Sequence, residues 1–277
     1  MKYNVTKLKA NTYKVDVDFS MEDISKAFDH ALEHISKEVK LDGFRKGSVP
    51  KSLAKEKVDK SKLRGEALNY LLNRTYIQLL NENKYKPMTY PIFDVKKFEE
   101  GETGGVEITV VEKPEIKLGD YQKEISKIDK KDNEVATKDI IDAVFKVSSV
   151  EVSDVLVESE KNRMLSSLID QTSKLKLKLE DYLKSVNKNL DTLKKEYEIT
   201  ALNTLKADLL LNEIASKEGI KISDEDIDKT INGIPDEKSK KILNTPNQRL
   251  YIKAVLTKSN TIDKLKKYVF ADLKKNS

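Results

Sequence analysis

The two histidines of the chain, His30 and His34, flank Glu33 in the pattern H-x-x-E-H, which in zinc peptidases supplies two metal ligands and a general base. Apolar residues recur at spacings of three and four over residues 24–39, and this pattern predicts an amphipathic helix. On such a helix the three polar side chains point away from the apolar stripe into solvent, where nothing would hold a third ligand or exclude water. We therefore predict no metal site and no metal cofactor.

No other group of residues in the sequence assembles a catalytic site. Nucleotide-binding patterns of the G-x-x-x-x-G-K-[ST] or G-x-G-x-x-G type are missing, so no nucleotide cofactor is expected. The chain contains no cysteine, which excludes a thiolate nucleophile, and both histidines lie on the exposed helix face, where they cannot join a Ser/His/Asp triad. The sequence therefore predicts no catalytic residues and a protein that is not an enzyme.

A short segment, residues 43–50, has the features of a docking loop. Gly43 and Gly47 permit sharp bends of its backbone. Pro50 fixes the exit from the loop into a short helix, which is predicted to reach about Val58. The side chains presented between them are an apolar ring and two cations: Phe44, Arg45 and Lys46. A large apolar side chain beside adjacent cations rarely stays exposed unless a partner covers it. The loop therefore predicts a binding site.

Positive charge is concentrated around this loop. Residues 37–64 contain ten Lys or Arg and four Asp or Glu, a local net charge of +6, whereas the whole chain carries +5. Such a patch favours a polyanionic partner such as RNA phosphate. One hypothesis is therefore a sequence-indifferent RNA-binding protein that uses this basic patch. Against it, Phe44 is the only aromatic residue in the patch, whereas single-strand binders stack bases on several aromatic rings.

Composition sets the size class and the compartment. A chain of 277 residues is long for one compact unit, and 38% hydrophobic against 36% charged residues is typical of extended helical proteins. The lack of cysteine fits a reducing compartment. Because the N-terminus has no apolar signal region and no run approaches the ~18 apolar residues of a membrane span, we expect a cytoplasmic protein with no membrane partner.

The first part of the chain predicts an α+β N-terminal domain, with antiparallel strands plus helices, over residues 1–114. Strict alternation of apolar and polar residues over 13–19 predicts a strand that follows a weaker one, and a glycine-rich turn within 92–110 predicts a second hairpin. Apolar spacings of three and four between the two hairpins predict helices over 24–39 and 62–83. Strands, helices and strands in this order define the α+β class.

The remainder predicts a linker over 115–138, where the sequence turns polar, and an all-α C-terminal domain over 139–277. The alternation Lys-Leu-Lys-Leu-Lys-Leu at 174–179 is typical of a strand, but an isolated strand in a helical domain would leave its backbone groups unpaired. We therefore predict the end of a helix and a turn there. The predicted helices are 153–169, 191–217 closed by Gly219, one from Ser223, one from Thr245, and a final one from Thr261.

Residues 43–50 contain every fixed position of G-F-R-x-G-x-x-P, the signature of the trigger factor family of ribosome-associated chaperones. The segments 86–91 and 112–116 resemble the first domain of that family, and 152–157, 179–183 and 218–225 resemble its C-terminal helical domain. The resemblance implies that the partners are the ribosome, through an exit-site ribosomal protein and nearby ribosomal RNA, and nascent polypeptides. It also implies roles for three loop residues. Phe44 would pack against that protein, Arg45 would pair with a carboxylate on it, and Lys46 would add a polar contact.

The chain departs from the family at one point. After the first domain, the family carries a prolyl-isomerase domain of the FK506-binding type, which needs roughly a hundred residues. Residues 115–138 leave no room for it, so the resemblance implies a shortened, ATP-independent chaperone, with a residual isomerase activity as a further alternative. The sequence does not identify the client-binding residues, and weak self-association is left open.

Overall fold

The structure, a computed structural model, describes residues 2–37, 44, 53, 55, 57–129 and 136–270. The chain divides between Lys113 and Pro114 into two units, each with its own internal contacts. Among the described residues, no helix combines the length and the apolar character needed to cross a membrane.

The first unit is built on one antiparallel sheet, as the alternating sequence predicts. Its strands are β1 (Lys2–Lys7), β2 (Thr12–Phe19), β3 (Ile92–Lys97) and β4 (Gly104–Val111), in the spatial order β1-β2-β4-β3. Val15 pairs with Val5 on one side and with Ile108 on the other. Because side chains alternate across a strand, this register gathers the apolar residues on one face. The opposite face is polar and carries cross-strand pairs such as Lys14–Glu107, at 2.7 Å.

Two helices cover the apolar face of this sheet, α1 (Met21–Ser36) and α2 (Lys60–Asn83). The start of α1 is fixed by a capping box in which the Ser20 hydroxyl accepts from the Asp23 amide and the Asp23 carboxylate accepts from the Ser20 amide. The Phe28 ring on α1 stacks on Phe98 with centroids 5.4 Å apart. The predicted short helix over 50–58 lies mostly outside the described residues.

The second unit contains eight described helices and one small two-stranded sheet. They are β5 (Ile116–Lys117), α3 (Tyr121–Ser126), α4 (Thr137–Val147), β6 (Ser149–Val150), α5 (Asp154–Lys174), α6 (Leu179–Ser185), α7 (Leu190–Lys217), α8 (Asp224–Asn232), α9 (Glu237–Leu243) and α10 (Pro246–Phe270). The fold class predicted from the sequence, an α+β part followed by a helical part, is thereby confirmed.

The linker predicted over 115–138 is wrong for residues 115–129. Strand β5 pairs with β6, and α3 buries Tyr121 and Ile125 in the core of the second unit, with 1% and 0% of their surfaces exposed. Leu118, Tyr121, Ile125 and Ile128 follow at spacings of three and four, a helical signal that the surrounding charged residues obscure. This stretch therefore begins the second unit rather than connecting to it.

Three separate apolar cores hold the second unit together. The largest, which we call the body, joins α3, α4 and parts of α5, α7 and α10. The first arm, formed by the C-terminal half of α5, α6 and the N-terminal half of α7, is centred on Leu168, Leu183 and Leu193. The second arm, formed by α8, α9 and the N-terminal half of α10, is centred on Ile222, Ile227, Ile231 and Ile252. Three helices, α5, α7 and α10, each run from the body into an arm.

Two helix boundaries can be compared with the sequence prediction, and one agrees with it while the other does not. The alternating segment 174–179 forms a helix end and a turn, as predicted, because Lys176 adopts φ 55° and the Leu177 amide donates to the Thr172 carbonyl at 2.9 Å. The separate helix predicted from Thr261 is wrong, because α10 continues without a break to Phe270. No glycine or proline interrupts α10 after Pro246, so nothing in its sequence ends the helix earlier.

A glycine pair in the first unit offers a test of the sheet packing. A Cβ on Gly104 would lie 2.5 Å from the Lys97 carbonyl oxygen and 2.8 Å from Ile24, so Gly104→Ala should destabilise the unit by about 1–3 kcal/mol. Gly65 on α2 has no atom within 4 Å of such a Cβ, so Gly65→Ala should stabilise it by about 0.5–1 kcal/mol. Urea denaturation of both variants would measure the difference, and equal midpoints would contradict this packing.

Candidate functional site

Of the predicted docking loop, the structure describes Phe44. Its side chain is 40% exposed, so its ring is not enclosed by its own unit. Gly43 and the stretch 45–50, with Arg45, Lys46, Gly47 and Pro50, lie outside the described residues. The one described member of the predicted site is thus an accessible apolar ring, which is what a docking residue requires.

The basic patch around this loop is weaker than the sequence count indicates. Lys55 pairs with Glu100 at 2.6 Å, and Arg64 pairs with Glu99 at 2.9 Å while its Nε donates to the Phe98 carbonyl. Both carboxylates belong to the turn between β3 and β4, far from the patch in sequence. They offset part of the local charge of +6, and this weakens the case for a polyanion as the main partner.

The H-x-x-E-H residues occupy the positions predicted for them. His30, Glu33 and His34 are all exposed on α1. The His30 ring stacks on Tyr70 with centroids 3.8 Å apart, and Glu33 lies 4.0 Å from Lys37. Within the described part of the chain, no group of three or more His, Cys, Asp or Glu is arranged to hold a metal ion.

The second unit carries a polar cluster at the base of its arms, centred on Glu218 just after α7. Its carboxylate accepts hydrogen bonds from Tyr121 at 2.6 Å and Gln122 at 3.0 Å, both on α3. On α10, Tyr268 donates to it at 2.8 Å and the Lys264 ammonium lies 2.8 Å away. One buried carboxylate therefore joins α3, α7 and α10.

These contacts shift the ionisation of the cluster. Burial alone would raise the pKa of Glu218, but hydrogen bonds from Lys264, Tyr121, Tyr268 and Gln122 outweigh it and lower the pKa to about 2. Burial and the bond to Glu218 raise the pKa of Tyr268 to about 12, and the same causes raise the pKa of Tyr121. Glu218 is therefore charged and its phenol partners are neutral at neutral pH.

The arms leave many large apolar side chains exposed. On the first arm these are Ile169, Leu175, Leu177, Val186, Leu190 and Ile199, and on the second they are Ile242, Leu250, Tyr251 and Val255. Isolated exposed apolar residues are ordinary on protein surfaces, but ten on two short arms exceed that background. The arms therefore present the main accessible apolar surface of the second unit.

Two of these residues, Tyr251 and Val255, lie on the side of α10 that also carries its ion pair with α7. On α10, Tyr251, Val255 and Lys258 share one face, and Lys258 reaches Asp208 on α7 at 2.6 Å. The pKa of Arg163 on α5 is raised, chiefly by its hydrogen bonds with Glu160, and Tyr251 on α10 adds to this rise. We call this surface the inter-arm face. A pocket of about 210 Å³ on the first arm is lined by Arg163, Met164, Ser167, Leu168, Gln171 and Tyr197.

The sequence did not identify this face, although a signal for it was present. Tyr251 and Val255 are four residues apart and lie beside the Ile252 and Leu256 pair that packs into the second arm. A helix with apolar residues on two faces buries one of them and offers the other to a neighbour or a partner.

The fold is that of a trigger factor chaperone. A solved structure aligns over 96% of this chain and 100% of its own, with a TM-score of 0.61 and 15% identity. It is described under promiscuous substrate recognition in the folding and assembly activities of the trigger factor chaperone. The family model described as bacterial trigger factor protein matches residues 1–147, and the model of its C-terminus matches residues 120–267. The chain belongs to the trigger factor family.

Individual relatives match parts of the chain. The trigger factor of Pelotomaculum thermopropionicum is 33% identical over 122 residues, which are 44% of this chain and 28% of that protein. The trigger factor of Halalkalibacterium halodurans is 30% identical over 154 residues, 56% of this chain and 35% of that protein. The chain thus spans about a third of the length of the curated relatives it matches.

The Glu218 cluster predicts an acid dependence of stability. Because its folded pKa of about 2 lies below the ordinary value of 4.5, Glu218 stabilises the second unit above pH 4.5 and loses this contribution as the pH falls towards 2. Its side chain is 9% exposed, and after a discount for solvent screening the contribution is about 1–3 kcal/mol. Denaturant unfolding from pH 6 to 2 should show this loss in the wild type.

The variant Glu218→Gln removes the titrating group and should flatten that part of the pH profile. Glu225→Gln, which replaces an exposed carboxyl on α8, is the control and should follow the wild type. A Glu218→Gln profile as steep as the wild-type profile would contradict the assignment.

Proposed function

We propose that this protein is an ATP-independent chaperone that docks at the ribosomal exit through residues 43–50 and shields apolar segments of nascent chains with its helical unit. The N-terminal part, residues 1–114, serves as the ribosome-binding domain, and the helical part that includes 139–277 serves as the chaperone domain. It acts by binding alone, without prolyl isomerisation.

The observation that carries this proposal is the apolar surface left uncovered on two folded arms. A chaperone needs contacts that are apolar, accessible and poor in fixed polar anchors, because such a surface accepts many sequences and specifies none. Burying about 400 Å² of it provides about 10 kcal/mol before costs, at about 25 cal/mol/Å². Ordering of the client and loss of its free motion offset most of this, which leaves weak and reversible binding.

Support for docking comes from the first unit. The exposed Phe44 ring lies in a segment with every fixed position of the family signature. The resemblance assigns Phe44, Arg45 and Lys46 to contact with an exit-site ribosomal protein, and Gly43, Gly47 and Pro50 to the shape of the loop. Membership of the trigger factor family supports the same role.

The docking loop can be tested by replacing Phe44, Arg45 and Lys46 together with Ala. Because apolar and Arg anchors carry most of the energy of an interface, we expect ribosome co-sedimentation to fall by a factor of about thirty or more. The circular dichroism spectrum should not change, since Phe44 is exposed.

A matched control comes from the same unit. Tyr90 is an exposed aromatic residue with two lysines nearby in sequence, so Tyr90→Ala, Lys86→Ala and Lys84→Asn remove the same kinds of side chain, and Asn tolerates the left-handed backbone at residue 84. This control should pellet with ribosomes like the wild type. Undiminished pelleting of the loop variant would refute the docking role, and equally tight binding to protein-free ribosomal RNA would assign the contact to RNA.

The inter-arm face can be tested with Tyr251→Ser combined with Val255→Ser. Both side chains are exposed, so the fold should persist while apolar contact with clients is lost. We expect the affinity for an unfolded model protein to fall about thirtyfold, since each of the two truncated side chains forfeits roughly 1 kcal/mol of burial. Light scattering during aggregation of that client gives the measurement.

The control for this face is Ile169→Ser combined with Ile199→Ser. These two residues are also exposed, but they lie on the sides of α5 and α7 opposite the pocket. If the control suppresses aggregation as poorly as the Tyr251/Val255 variant does, the client surface is not confined to the inter-arm face.

A further inference from the structure

The tip of the first arm combines exposed leucines with lysines in the segment 174–179. Its turn presents Leu175, which is 77% exposed, and Leu177, which is 38% exposed. The backbone holds these side chains outward, because the left-handed Lys176 reverses the chain immediately after α5. The alternating sequence therefore serves to display side chains rather than to form a strand.

A second turn at the other end of α6 repeats this composition. Val186 is 38% exposed and Leu190 is 40% exposed, and the chain again reverses through a left-handed residue, Asn187. The seven residues of α6 separate the two turns by about 10 Å. An extended segment of about three or four residues covers that distance. The two apolar turns are thus spaced for one short extended peptide.

The tip is positively charged. Residues 174–190 contain five lysines and two acidic residues, a net charge of +3. Within the described part of the chain, an ion pair is found for Lys188, with Glu196, whereas Lys174, Lys176, Lys178 and Lys184 have no carboxylate within 4.0 Å. The two acidic residues, Glu180 and Asp181, lie in the first turn of α6, where the positive end of the helix stabilises them.

We propose that this tip, here called the lysine-leucine tip, selects client segments that carry Asp or Glu beside apolar residues. The inference rests on the proposed chaperone function and adds a preference to it. Lysines without protein partners attract acidic flanks and repel basic ones, while the leucines bind apolar side chains of any type. Four apolar side chains over two turns are far too small an area for a folded partner, which needs about 800 Å². A short unfolded segment is the occupant that fits.

The test compares two dye-labelled peptides with the same apolar centre, one flanked by Glu and one flanked by Lys. Fluorescence anisotropy with the full chain should give about tenfold tighter binding of the Glu-flanked peptide, because each exposed charge pair contributes only a small attraction and several act together. High ionic strength should reduce this preference, since the screening length falls to about 3 Å at 1 M salt.

Two variants assign the preference to the tip. The first variant removes three charges from the tip through Lys174→Gln, Lys176→Asn and Lys178→Gln, so the preference should largely disappear. Asn is used at residue 176 because it tolerates the left-handed backbone there. Leu175→Ser with Leu177→Ser should weaken binding of both peptides. The matched control, Lys221→Gln, Lys229→Gln and Lys253→Gln, removes three exposed lysines of the same unit away from the tip and should keep the preference.

The outcomes separate this inference from the proposed function. If neither peptide binds, the chaperone proposal itself fails. If both bind equally, or if the preference survives in the tip variant, the lysine-leucine tip does not select acidic clients and the chaperone proposal stands. Binding of anionic lipid vesicles, but not of the Glu-flanked peptide, through the same residues would overturn the inference in favour of a membrane surface.

Discussion

The second unit depends on one ionic hydrogen-bonded contact, the carboxylate of Glu218 held by side chains from α3 and α10. A carboxylate buried to this extent without donors would be strongly destabilising, so the donors must all be in place when the unit folds. Tyr121 and Tyr268 lie 97 and 50 residues away from Glu218 along the chain. The contact therefore joins the start of the unit to its last helix, and it fixes the body ends of α7 and α10, two of the three helices that extend into the arms.

The arms show how apolar side chains remain accessible on a folded support. Their cores are small, and they hold α5, α6 and α7, or α8, α9 and α10, by a few residues each. The apolar residues outside these cores gain little from intramolecular burial. Large apolar area is thus kept at the surface by rigid helices, while the body and the Glu218 contact supply the stability that the arms lack.

The sequence predicted the features that depend on neighbouring residues and missed those that depend on distant ones. The alternation of β2 and the helix end at Gly219, whose φ is 65°, are local, and the structure contains both of them. The pairing of Arg64 with Glu99 and the cluster at Glu218 join residues far apart, and no periodicity encodes them. The docking role of residues 43–50 was predicted from a motif and stays a prediction, whereas the inter-arm face required knowing which side of α10 was already buried. The polar stretch around α3 was misread as a linker because only a few apolar residues mark it.

The three separate cores of the second unit have a consequence for how it moves. A cooperative unit of folding opens with a free energy set by its own buried contacts, so an arm centred on three or four residues opens far more readily than the body. Amide hydrogens of α6 and α9 should therefore exchange with solvent well before those of α3 and the C-terminal end of α10. Each arm should therefore open as a local unit of its own while the body stays folded.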